Sequence, residues 1–429
     1  KMFKFKPLVA AILTVATAQA FAANNTSEQD QLGINNVAQV LQSGGSGNLA
    51  KQGQSGFGNQ ATVEQSHSRE TTATQSQAGN YNVADAQQSA TALTAATQNQ
   101  RGWGNDATVE QTGTYKTGAT QNQNGIHNVA ETFQTGTTTS SATTEQTGKH
   151  NYGLITQSAA INSQGKLVQD GELNNASITQ TASWGDRALV DQRGTDNDAH
   201  VTQVASLGSI AEVEQVGWRN DAMVSQTGHQ HEAYMLSDGN NNRVDIDQSG
   251  NAQNAFALQY GNGNDSRITQ SNSPFGGNNT ATTEQFGTAN EADINQHGRN
   301  QTAKTIQHGG FNVASVDQQG RGNELHFQQD GVGNELNAVQ NGSDNEIVGV
   351  SHGWHNSSDI EQTGGDNLAT VRQEGTLNEL MLTQSGYDHL AKVTQHGFAN
   401  DALVSQAGYG NAAYINQNGT NNSALVTQH

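Results

Sequence analysis

The residues in this sequence that invite a metal or catalytic reading are its His and carboxylate side chains. The chain has 429 residues, with 14 His, 39 Asp and Glu, and no Cys. The absence of Cys excludes disulfides, thiolate zinc sites, iron–sulfur clusters and thiol nucleophiles together. His231-Glu232-Ala233-Tyr234-Met235 begins like the two-His zinc motif but lacks the second His. Gln-His-Gly occurs at 296–298, 307–309 and 395–397. Gly261-Asn-Gly-Asn-Asp265 has the flavour of a calcium-binding nonapeptide, but it occurs once. A paired-carboxylate hydrolase site needs a cleft and a break in the surrounding pattern. The one clear break, Ser271–Asn278 around Pro274, contains no acid. These readings leave no catalytic, cofactor-binding or metal-ligating residue to nominate.

The elements that would position such groups come from a repeat. Asn400-Asp-Ala402-Leu-Val404-Ser-Gln406, Asn411-Ala-Ala413-Tyr-Ile415-Asn-Gln417 and Asn422-Ser-Ala424-Leu-Val426-Thr-Gln428 share N-x-A-x-Φ-x-Q, with Φ apolar. The unit recurs every eleven residues back to 279, and from 264 to 209 beyond the 271–278 insertion. Toward the N-terminus the step alternates between twelve and eleven, ending in a degenerate unit at Asn25, for thirty-six units in all. Gln fills the seventh place throughout except at Ser237 and Ser351. A disordered Gln/Asn-rich chain would have no reason to hold that register.

Alternation puts Asn, Ala, Val/Ile and Gln on one strand face, with Thr, Ser, Glu and Asp on the other. Seven-residue strands of roughly 20 Å, joined by four-residue reversals in which Gly supplies the positive φ, are expected. The fold is therefore all-β: a cross-β solenoid of about 18 two-strand rungs, 22–23 residues each and about 85 Å long at ~4.8 Å per rung. The ladder residues expected to stack are Gln65, Gln111, Gln157, Gln215, Gln226, Gln406, Gln417 and Gln428. With them go Asn59, Asn105, Asn220, Asn400, Asn411 and Asn422, and the turn glycines Gly113, Gly217, Gly408 and Gly419. Identical amides one rung apart can bond each other, as in amyloid.

In such a rod His297 and His308 fall on opposite sides. His308 and His352 fall two rungs apart, about 9.6 Å, too far to share a metal ion bound at ~2.1 Å. All read as solvated turn residues. Outward acids mostly skip a rung within a column, with Asp191 and Glu214 the adjacent pair, which limits repulsion.

Composition narrows the class further. Hydrophobic residues are 32% and aromatics 5%, too few for a thick globular core, and net charge is −20, which disfavours nucleic acid and anionic bilayers. Residues 1–22 read as a secretory signal: Lys1, Lys4 and Lys6, an apolar run from Leu8 to Thr17, and Ala20-Phe21-Ala22 for cleavage. A short segment 23–35 with the degenerate unit precedes the solenoid at 36–429. No other apolar run nears ~20 residues, so no membrane insertion is expected. An outer-membrane barrel fails as well, because these strands are short with polar exteriors.

The first half alternates Asn with Ser/Thr at position one, giving S/T-x5-Q-x-G-x2-N-x-A-x3-Q over two strands. Ser209…Gln215-Val-Gly217…Asn220-Asp-Ala222…Gln226 is one full copy. Ser140…Gln146-Thr-Gly148…Asn151-Tyr-Gly153…Gln157 is another, with Gly153 for Ala. This motif resembles the curlin repeat of the curli amyloid subunits, and the resemblance extends over residues 25–428. It implies a non-enzymatic subunit of an extracellular functional amyloid in a Gram-negative biofilm matrix. Such a subunit polymerises with itself on a nucleator after leaving through an outer-membrane pore. The chain departs from that family in its number of repeats, in lacking an evident Gly-rich targeting segment, and in the fading Ser/Asn alternation of its second half. The last leaves major and nucleating subunit both open. Uncapped end rungs suggest head-to-tail growth. The alternative is a monomeric surface solenoid, an adhesin or an ice-binder.

Overall fold

A computed structural model describes residues 24–272 and 276–429. The expected signal 1–22 and the centre of the 271–278 insertion lie outside the described residues. Thirty-six strands run from Thr26–Ile34 to Ser423–Gln428, and every ladder pairing is parallel, each strand bonded to those two before and two after it in sequence. Thr26–Ile34 and every second strand after it form one sheet of eighteen strands; Val37–Ser43 and its successors form the other. The fold is a β-solenoid of about eighteen two-strand rungs.

Position parity decides the core. In Asp221–His229, Ala222, Val224 and Gln226 are buried while Asp221 and Met223 are exposed, and the pattern repeats along the rod. Ala at the third position lets the two sheets approach closely; Val, Ile or Leu at the fifth fills the remaining space. The first rungs differ. Gln52, Gln75, Gln98 and Gln121 take the fifth place in the first sheet, and the first three each donate Nε2 to the Oε1 of the next at 2.8–3.1 Å. The apolar core therefore divides into an N-terminal cluster ending at Ala119 and a long cluster beginning at Ala142. Buried Thr132 and Thr144 stand between them.

The strands are longer and the turns shorter than the repeat suggests. Most strands span nine residues and run through the Gly, as Ile210–Trp218 does through Gly217. Gly217, Gly408 and Gly419 (φ 116°, 98° and 127°) occupy next-to-last strand places, not turns. The reversal is made two residues after the Gly by a left-handed residue such as Arg219 (φ 56°). The Gly is needed because its neighbour one rung on is so close: a Cβ on Gly217 would lie 2.0 Å from the Gly239 carbonyl oxygen.

Rung length also has a structural meaning. Up to Ser209 a 23-residue rung turns a corner after a seven-residue strand, and the corner has its own parallel bridges, Ser46↔Arg69↔Ala92↔Tyr115↔Thr138↔Ile161↔Trp184↔Leu207. The twelfth residue of the longer step thus builds a narrow third side. Gly113 (φ 63°) belongs to this corner, where His67, Ala90 and Ala205 adopt the same conformation. A register shift between Val204 and Leu207 ends it, and from there both edges use two-residue turns.

Candidate functional site: the amide ladders and the end rungs

Each inward Gln spends its amide in two directions. Gln226 Nε2 donates to Gln248 Oε1 (2.9 Å) and across the core to the Ile210 carbonyl (2.9 Å), while its Oε1 accepts from Gln203. Gln65, Gln111 and Gln157 donate in the same way to Gln88, Gln134 and Gln180 at 2.7–2.8 Å. Gln406 donates to Gln428, and Gln417 accepts from Gln395. Gln215 accepts from Gln192, but Ser237 follows it, so that ladder stops there. The cross-core bond to a carbonyl was not foreseen from the repeat; it ties the two sheets together.

The Asn column runs the other way. Asn59 Nδ2 donates back to Asn36 Oδ1 (3.1 Å) and forward to the Gly79 carbonyl (2.8 Å). Asn105, Asn220, Asn400 and Asn422 likewise donate to Asn82, Asn197, Asn378 and Asn400 at 2.8–3.2 Å. Asn411 does not stack on an Asn. Its backbone N–H donates to His389 Nδ1 (3.2 Å), and His389 Nε2 lies 3.2 Å from the Ser385 carbonyl, so the imidazole stands in for an amide. Buried His231 occupies the same column; its Nε2 reaches the Thr227 carbonyl, and its Nδ1 has no partner. Burial pushes the His231 pKa down. Asp186 is the one inward carboxylate among the described residues: it accepts from Ser206 Oγ and from the Ser209 N–H (2.8 Å), and burial holds its pKa up against those bonds.

The first test of the ladders is one-sided. Gln226→Ala removes three bonds; Gln248 Oε1 loses its donor, at about 1–3 kcal/mol, while Gln203 Nε2 keeps its bonds to the Arg187 and Ser209 carbonyls. Ser225→Ala, on the outer face, should change stability by less than about 0.5 kcal/mol. Chemical unfolding that ranks the two equally would contradict the assignment of faces.

On the outer faces His and carboxylate side chains pair between rungs. His308 and His352 are strand residues, not turn residues, and Asp330 lies between them: its Oδ1 is 2.9 Å from His308 Nδ1 and its Oδ2 is 3.9 Å from His352 Nδ1. Glu374 stands between His352 and His396 in the same column; it bonds His396 (3.2 Å) and Arg372. Among the described residues no group of three or more His, Asp or Glu is placed to hold a metal ion. Asp191 and Glu214 share Arg193, at 2.5 and 3.4 Å.

Acids crowd on diagonals, as at Asp85, Asp106 and Glu131, and within a column at Asp198 and Asp221. Desolvation on the second sheet, then the charges of Glu131 and Asp85, hold the Asp106 carboxyl above its usual range; Asp221 is raised by desolvation and then by Asp198. A carboxyl with a raised folded pKa binds protons better when folded, so it costs stability at pH 7 and regains it as pH falls toward about 3.8. Asp106→Asn should therefore unfold at a higher temperature than the parent at pH 7 and lose that advantage near pH 4. His231 acts oppositely: its lowered pKa costs stability as pH falls through about 6.5. Thermal melts at pH 7 and 4 decide; a lower melting temperature for Asp106→Asn at pH 7 contradicts the crowding.

The ladder geometry is periodic, and the family comparison has the same period. A family model for the curlin associated repeat matches residues 217–249, 239–271, 364–397 and 397–429. The chain carries curlin repeats. Each match begins at a strand-end Gly (Gly217, Gly239, Gly364 or Gly397) and covers one and a half rungs of the two-edged kind. No curated protein matches the chain. Among the described residues no helix is long and apolar enough to cross a membrane.

Proposed function

We propose that this curlin-repeat protein is a secreted, non-enzymatic subunit of an extracellular amyloid fibre that grows head to tail, on a nucleator and through an outer-membrane pore as the curli resemblance implies. The observation that carries the reading is the opposed polarity of its two amide ladders. Gln side chains donate toward later rungs and Asn side chains toward earlier ones.

The last described rung thus presents Gln428 as a donor and Asn422 Oδ1 as an acceptor. The first presents the Gln42 Oε1 acceptor and, in the column of Asn422, the Asn36 amide, whose Nδ2 donates only to the Leu32 and Gly56 carbonyls and to no Asn. Last rung on first rung pairs donor with acceptor in both columns; first on first, or last on last, sets like against like. The residues match as well: Asn422, Ala424, Val426 and Gln428 face Asn36, Ala38, Val40 and Gln42. Among the described residues, Thr26–Ile34 and Ser423–Gln428 each pair along one edge only. An unpaired edge on a flat stack recruits another strand.

The purified chain should form dye-binding fibres with a meridional repeat near ~4.8 Å. Leu425→Pro, whose N–H faces the free edge of the last strand, should slow elongation at least about tenfold while leaving the isolated chain folded, because Pro removes a donor from pairing with the next strand. A chain that stays monomeric for days at high concentration, without that reflection, would overturn the reading in favour of a monomeric adhesin or ice-binder.

A further inference from the structure

The outer faces of the two sheets differ in a way the fibre axis does not require. Among the described residues, the only Lys or Arg across the flat of the second sheet are Arg243 and Arg267, with Arg299 and Arg321 at its rim, among carboxylates along its length. The first sheet mixes signs and carries an apolar raft. Tyr234, Leu236, Phe256, Leu258, Tyr260 and Phe286 cover three adjacent strands, Glu232–Asn240, Asn254–Asn262 and Thr280–Thr288, where most outward residues elsewhere are polar. Tyr260 stacks on Phe286 at 5.2 Å, and Phe286 on His308 at 4.8 Å, so the raft is a preformed surface.

We infer that the first-sheet face binds the same face of a second copy, with the two rods antiparallel. The two-fold axis runs along the central raft strand, Asn254–Asn262. Such an axis keeps the position along each strand and exchanges strands equally far from the centre. Phe256, Leu258 and Tyr260 then meet their own copies.

The charges on either side of the raft fit the same axis. Two rungs out, Glu212 meets Lys304. Three rungs out, Arg187 meets Glu324 and Arg193 meets Asp330. Four rungs out, Asp170 meets His352; five rungs out, Glu145 meets Arg372. No outward position sets like charge against like. Several of these cations already bridge neighbouring strands of their own sheet, as Arg187 does with Glu212 and Lys304 with Glu284, and pairing gives each a second carboxylate.

The overlap runs from Ala95–Trp103 to Ala412–Thr420. Fifteen strands at ~4.8 Å and about 20 Å wide exceed 1,000 Å², above the ~800 Å² per partner of a stable interface.

Because the chain lacks Cys, a single introduced thiol reports one position. Val168 and Val350 are outward residues at the same strand place, four rungs either side of the axis strand. Within one rod they lie eight rungs apart, about 38 Å, and only the antiparallel pairing brings them together. Chains with Val168→Cys and Val350→Cys, mixed and mildly oxidised, should give at least fivefold more disulfide dimer than either alone. Thr269→Cys, on the second sheet, should stay at background. Lys304→Glu in both chains should cut the mixed yield about tenfold, and adding Glu212→Lys should restore it. Self-linking of either single variant, a mixed yield no higher than that of Thr269→Cys, or failure of the charge swap to restore it would each overturn the proposal. The readout needs no fibre growth, so it stands apart from the head-to-tail reading.

Discussion

Gly217→Ala is expected to destabilise the rod more than any change to an exposed residue. At φ 116° a Cβ is strained, and here it would also sit 2.0 Å from the Gly239 carbonyl. Strain of about 1–3 kcal/mol adds to about 1–3 kcal/mol for displacing packed backbone. Gly113→Ala should cost about 1 kcal/mol or less, since its φ is 63° and the nearest atom to its Cβ is 4.0 Å away. The corner already holds Ala at Ala90 and Ala205 in that conformation. Unfolding in denaturant should separate the two variants clearly; equal losses would mean that the close Gly–Gly approach is not what the position requires.

The second large effect couples two rungs. Phe327 is the largest fully buried side chain, and it fits because Gly349 follows it in the column: a Cβ there would lie 2.2 Å from the Phe327 ring. Phe327→Ala should cost about 3–5 kcal/mol, and Gly349→Val about 1–3 kcal/mol by overpacking. The double variant Phe327→Ala/Gly349→Val moves the missing volume one rung along the column and should recover much of either loss. A double-mutant cycle with additive energies would show that the two sites are independent.

These cases show what the sequence could and could not reveal. Alternation at Asn, Ala, Val and Gln is enough to assign faces, because a period of two admits only one inward set, and strict register implies stacking. Turn geometry was not legible in the same way. Gly113 and Gly217 occupy the same place in the repeat, yet one closes a roomy corner and the other meets a carbonyl. The clue lay in the exceptions: His67, Ala90, Ala159, Ala182 and Ala205 replace Gly at the corner, and among the described residues only Asn272, beside the insertion, does so elsewhere. The twelve-residue step pointed to the same corner but reads equally well as a longer turn.

The fading Ser/Asn alternation also follows from this geometry. A corner is closed by short hydroxyls such as Ser140, whose Oγ bonds the Ala160 carbonyl. A two-residue turn needs the longer Asn amide to reach the Gly carbonyl, so Asn spreads to both edges once the corner ends. The His308–Asp330–His352 column was hidden for another reason. His308 and His352 are like residues two rungs apart, and the carboxylate that joins them sits on the rung between, where the repeat gives no sign of it.

The corner bridged from Ser46 to Leu207 has a consequence for any assembled fibre. One part of each subunit has three sides and the rest has two, so a head-to-tail polymer would thicken and thin once per molecule. Beside the fine strand spacing, its diffraction should contain a long axial period near 85 Å, the length of about eighteen rungs at ~4.8 Å. Each fibre would thus carry a built-in scale marking its subunit boundaries, which a stack of identical rungs would lack.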